Sequence, residues 1–228
     1  MKITKNAVVL ILMVLIALLG VILFKDERYN LVIILIVMLS CVPFYFKYEH
    51  DKPKTREVVV LAIMIALTVI SRIIFMITPS FKPVTVMVII CGVVFGRASG
   101  FMCGSLSALL SDFAFGIGPW TPFQMLAWGI IGYIAGIFGK RLYKDKYFLY
   151  GYSIVCGIGY SLIMDLWSVL AIENSFNLTR YLAIIMTSLP VMLVYIVSNI
   201  IFMFLLSKIM FQILQRVKIK YGITEGKV

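Results

Sequence analysis

Three ionisable side chains stand inside long apolar runs: Arg72, Asp112 and Asp165. A charge surrounded by lipid is costly and tends to be paired or functional. Each lies near the same end of its run, roughly 7 Å below one surface at about 1.5 Å rise per residue. One cation and two anions at one depth read as the floor of a binding cavity. They read equally as a structural ion pair, with Arg72 free to snorkel to the headgroups. The chemistry on offer is recognition of a small molecule.

The second candidate is the break Phe115-Gly-Ile-Gly-Pro-Trp-Thr-Pro-Phe-Gln-Met-Leu-Ala-Trp128. Gly116, Gly118, Pro119 and Pro122 forbid a continuous helix through it. Trp120, Thr121, Gln124 and Trp128 bring flat rings and hydrogen-bonding groups to the same place. Tryptophans at a membrane face also form the aromatic belt, and that reading suits Trp167. Trp120, in a rigid turn beside Thr121 and Gln124, is expected to touch a ligand. The segment Glu173–Arg180 is either a lid or a solvated loop. Asn199, a lone amide within the last span, is expected to bond across helices.

Other chemistries lack their residues. Cys41, Cys91, Cys103 and Cys156 lie in apolar runs without CxxC spacing, so neither a disulfide framework nor a zinc site is indicated. The single histidine, His50, sits in a charged loop and reads as solvated. Gly139-Lys140-Arg141 is not a phosphate loop, and no HExxH or GxSxG motif occurs. The expectation is a protein that is not an enzyme and has no metal and no cofactor.

These residues need a membrane scaffold. The 228 residues are 62% hydrophobic and 14% charged, with a mean hydropathy of +1.06. A soluble interior of this size cannot hide so much apolar side chain. Runs of about 17–25 apolar residues span a bilayer, and the pattern predicts eight helices, at 7–24, 30–46, 57–77, 83–96, 98–116, 121–139, 147–171 and 181–213. The run 7–24 is long for a signal peptide and is read as a span. The span 83–96 is short and is expected to be broken or tilted. The net charge of +11 does not indicate nucleic acid, because the basic residues sit between the apolar runs. Lys25, Arg28, Lys82 and Arg180 lie on one side, Arg72 lies within a span, and the other sixteen lie opposite. The positive-inside rule then puts both termini in the cytoplasm of a plasma-membrane protein and the Gly-Pro-Trp turn outside.

Small residues recur at helical spacing as Ala62-x-x-x-Ala66, Gly100-x-x-x-Gly104-x-x-x-Ala108 and Gly132-x-x-x-Gly136. Such faces let helices approach closely. With these, the stretch from Lys82-Pro-Val-Thr, the run Gly100-Phe-x-x-Gly-x-Leu-Ser-Ala-Leu and the block Gly118-Pro-Trp-Thr-Pro-Phe-Gln-Met-x-Ala-Trp-Gly129, residues 57–212 resemble the S components of energy-coupling factor (ECF) vitamin transporters, nearest the cobalamin-type branch. The resemblance implies an all-α membrane protein whose six-helix bundle, 57–213, follows two extra helices and a polar linker, 1–56, and precedes a basic tail, 214–228. It implies a subunit that captures a vitamin from outside and topples to deliver it on a membrane T component driven by two cytoplasmic ATPases. A corrinoid is the first expectation for the cargo, with riboflavin and a queuosine precursor open. The expected substrate contacts are Arg72, Lys82, Asp112, Trp120, Thr121, Gln124, Trp128 and Asp165; the expected docking face is Ala62 and Ala66. The competing reading is a membrane scaffold or assembly protein with no ligand.

Overall fold

The computed structural model describes residues 29–50, 53–173 and 175–223. The expected first span, 7–24, lies outside them. Regular structure among the described residues is helical throughout: α1 Tyr29–His50, α2 Thr55–Ile74, α3 Val84–Phe95, α4 Arg97–Phe115, α5 Thr121–Ile137, α6 Gly139–Lys144, α7 Lys146–Glu173 and α8 Leu178–Lys220. Of these, α2, α4, α7 and α8 are long and apolar enough to cross a membrane, while α3 and α5 are shorter apolar helices.

Local signals set the ends. Glu57 accepts a hydrogen bond from the Lys54 N–H (3.3 Å) and so caps α2. Asp145 accepts from the N–H groups of Tyr147 (2.9 Å) and Phe148 (3.1 Å) at the start of α7. Asn177 does the same for Arg180 (3.1 Å) at the start of α8. Gly96, with φ of 90°, reverses the chain between α3 and α4, a conformation that favours glycine. The short α6 follows α5 directly, in the basic stretch expected to be a loop between spans, and α8 continues to Lys220, past the expected end near 213.

α3 is the centre of the bundle. It is an unbroken helix of 12 residues, buried nearly all round, as expected of a helix that is hydrophobic on every side. At about 1.5 Å per residue it is roughly 18 Å long, well short of a bilayer core of about 30 Å. Its neighbours reach it without side chains between them. A Cβ on Gly100 would strike the carbonyl of Gly132, one on Gly132 would strike that of Gly100, and one on Gly104 would strike that of Trp128. The small-residue faces of α4 and α5 are therefore spent on each other.

α2 buries Val60, Leu61, Met64, Ile65, Thr68 and Arg72 on one face, at the spacing of an amphipathic helix. α1 packs against α4 and α5: Phe44 stacks on Phe101 at 4.0 Å, and the Tyr45 hydroxyl donates to Ser105 Oγ at 3.0 Å.

Candidate functional site

The end of the bundle where α2 and α4 finish and α3 and α5 begin gathers polar groups in an otherwise apolar interior. Arg72, in the last turn of α2, is 6% exposed. Its Nη1 donates to Asp112 Oδ1 of α4 at 2.8 Å and to Ser111 Oγ. Its Nη2 donates to Gln124 Oε1 of α5 at 3.0 Å. Asp112 is fully buried, and its second oxygen accepts from the Thr121 hydroxyl at 2.6 Å. Thr121 Oγ1 in turn accepts from the Gly118 N–H at 3.3 Å. The turn Gly118–Thr121 is thus stapled to the buried ion pair. In so dry a setting the pair persists because both charges are also hydrogen-bonded.

Trp128 forms the next wall. Its Nε1 donates to Thr85 Oγ1 at 3.2 Å, and its ring stacks on Tyr160 at 4.7 Å. Tyr160 meets Tyr195 edge-on at 5.1 Å. Phe115 lies under two cations: the Arg72 guanidinium at 4.5 Å and Lys82 Nζ at 4.2 Å from its centroid. The Lys82 backbone is pinned to α8, donating to Ser198 Oγ at 2.9 Å and accepting from it at 3.1 Å. Burial, and then the Arg72 charge nearby, hold the Lys82 amine below the ordinary lysine value, with Asp112 pulling the other way.

These groups enclose a cleft of about 190 Å³, with Arg72, Lys82 and Gln124 as its polar wall and Thr85, Trp128, Tyr160 and Tyr195 opposite. Ser80, at its rim, has a φ of 61°, uncommon for a residue with a side chain. Asp112 and Thr121 stand behind Arg72 and position it.

Two expected contacts lie elsewhere. Asp165 of α7 does not join the Arg72 cluster; it accepts from Ser188 of α8 at 2.7 Å. Trp120 folds back over Gly118, is 37% exposed, and does not line the cleft. The loop after α7 is clipped by Arg180 donating to Glu173 at 2.6 Å. Asn199 Nδ2 donates to the Ser153 carbonyl of α7 at 3.0 Å, a bond across helices. Ala62 and Ala66 are exposed on the face of α2 turned away from the bundle.

Residues 52–219 match the family model described as "ECF-type riboflavin transporter, S component". The chain belongs to this family. It is a multi-pass membrane protein of a family of transporter subunits, and α1 precedes the matched region. No curated protein and no solved structure matches the chain significantly. The matching model is of the riboflavin type, and the expected nearness to the cobalamin-type branch finds no support in it.

The S component's cleft also draws on residues that the sequence did not single out: Ser80, Tyr160 and Tyr195. A tyrosine in a membrane span gives little signal on its own, and the chain has 12 tyrosines. The usable clue was Gly157, one turn before Tyr160, which lies against Ile196 and Asn199 of α8 and marks a helix face close to its neighbour.

Proposed function

We propose that this S component captures a flat, ring-bearing vitamin of the riboflavin kind from outside the cell and delivers it inward through an ECF-type importer. The observation that carries the reading is the cleft itself. It joins an aromatic wall, Trp128 and Tyr160, to a buried polar wall, Arg72 and Gln124, in a chain whose family model is that of riboflavin S components. Apolar pockets with a few convergent polar groups are the usual form of small-molecule sites.

The distribution of Lys and Arg supports an outward-facing cleft and cytoplasmic termini. Residues 57–213 act as the binding bundle, 1–56 as two added helices with a linker, and 214–228 as a basic tail. The partners are a T component and two cytoplasmic ATPases, reached through the exposed Ala62 and Ala66 face, with toppling of the whole subunit as the delivery step. A scaffold without a ligand would have no use for a cleft whose walls are charged.

The test is riboflavin binding to the full-length chain in detergent, read by quenching of flavin fluorescence. Saturable quenching, weakened at least about tenfold by Trp128→Ala, supports the reading. Absence of saturable quenching refutes it.

A further inference from the structure

We propose that the ligand of this cleft carries an anionic group, a carboxylate or a phosphate, which Lys82 receives. The proposal rests on the reading of the cleft as a vitamin site. It follows from a charge balance. Arg72 is matched by Asp112, whose other oxygen is taken by Thr121. Lys82 has no such match: among the described residues no carboxylate lies within ion-pair distance of it. The cleft therefore holds one positive charge more than its carboxylate can offset.

A lysine on a connecting segment normally extends into water. Here the backbone is fixed by Ser198, and the amine turns inward over the ring that Arg72 also covers. Two cations against one aromatic ring gain less than two separate pairs, because they repel each other. A partly buried ammonium without a counter-charge is costly unless something arrives to pair with it. Arg72, on the same wall, adds a second positive charge. An ammonium without a carboxylate beside a second cation fits a single anionic group. A neutral ring compound would leave the ammonium unpaired.

The test uses the full-length chain in detergent and pairs of probes that differ in charge: riboflavin 5′-phosphate against riboflavin, pantothenate against pantothenol, and biotin against biotin amide. Dissociation constants and thermal shifts are measured for each. The expected result is that one anionic member binds on the order of ten- to a hundredfold more tightly than its neutral counterpart. Lys82→Gln collapses that ratio, and Lys82→Arg keeps most of it. A neutral member binding as tightly as its anion overturns the proposal. Preference for riboflavin over its phosphate does so while leaving the flavin reading intact. A response confined to a non-flavin anion refutes the flavin reading and upholds the charge assignment. A wholly silent panel overturns both. Should Lys82→Gln fail to fold, the ratio in the unaltered chain decides alone.

Discussion

Removing the Asp112 carboxylate strands Arg72 as an uncompensated charge in a site where it is 6% exposed. Breaking a buried pair from one side costs about 3–5 kcal/mol. Asp112→Ala also deprives Thr121 of its acceptor at 2.6 Å, so the upper part of that range is expected. Arg72→Ala strands the carboxylate instead and costs a similar amount. The double variant strands neither charge, so its loss falls short of the sum by about 2–3 kcal/mol. The same cycle between Arg72 and Asp165 is the control. Asp165 is bonded to Ser188 and not to the cluster, so those losses add to within about 0.5 kcal/mol. The assay is ligand-free unfolding of each purified variant in one detergent. Coupling below about 0.5 kcal/mol for Arg72 with Asp112, or equal coupling to Asp165, would refute the reasoning.

Gly104→Ala drives a methyl group into the Trp128 carbonyl; it is expected to cost about 1–3 kcal/mol in the same unfolding assay and to weaken flavin binding. Trp128→Ala is expected to lower affinity far more than Trp120→Ala, since only Trp128 lines the cleft; comparable losses in a binding titration would contradict that. Ala62→Trp and Ala66→Trp are expected to spare binding and abolish uptake in cells supplied with T component and ATPases, and normal uptake would remove this face from the mechanism. A cysteine at Gly118 is expected to react with an impermeant label from outside, and one at Lys144 is not; the reverse pattern would invert the topology.

Helix ends were legible at several breakers, although Pro43 and Pro190 lie inside α1 and α8. Pro53, Pro83, Gly96 and the Gly116–Pro119 run each lie between helices, and the expected boundaries fall close to the observed ones. Where no breaker stands, the reading stopped early. The basic stretch Arg216–Lys220 continues α8 because polar side chains do not oppose a helix, and only Gly222, with φ of 57°, follows to turn the chain. The Arg72–Asp112 pair was legible because a charge in an apolar run must find a partner. The placement of Asp165 was not. Counting residues along a helix gives depth, but which neighbour a face meets depends on how the helices are arranged, and α7 turns Asp165 toward α8. The placement of Trp120 was not legible for a related reason: a turn can present a ring to a cleft or fold it onto its own backbone, and composition does not distinguish the two.

The glycine contacts among α3, α4 and α5 have a mechanical corollary. Where main chain rests on main chain, no side chain can change rotamer to let one helix slide past another. Gly92, Gly100 and Gly132 meet in this way at the middle of the bundle, so these helices form a stiff plate. The plate carries Asp112, Gln124 and Trp128 on its members. It cannot open a second mouth toward the opposite face by hinging within itself. On the proposed reading, cargo held against it has two ways out: return through the entrance, or travel with the plate as the subunit reorients in its bilayer.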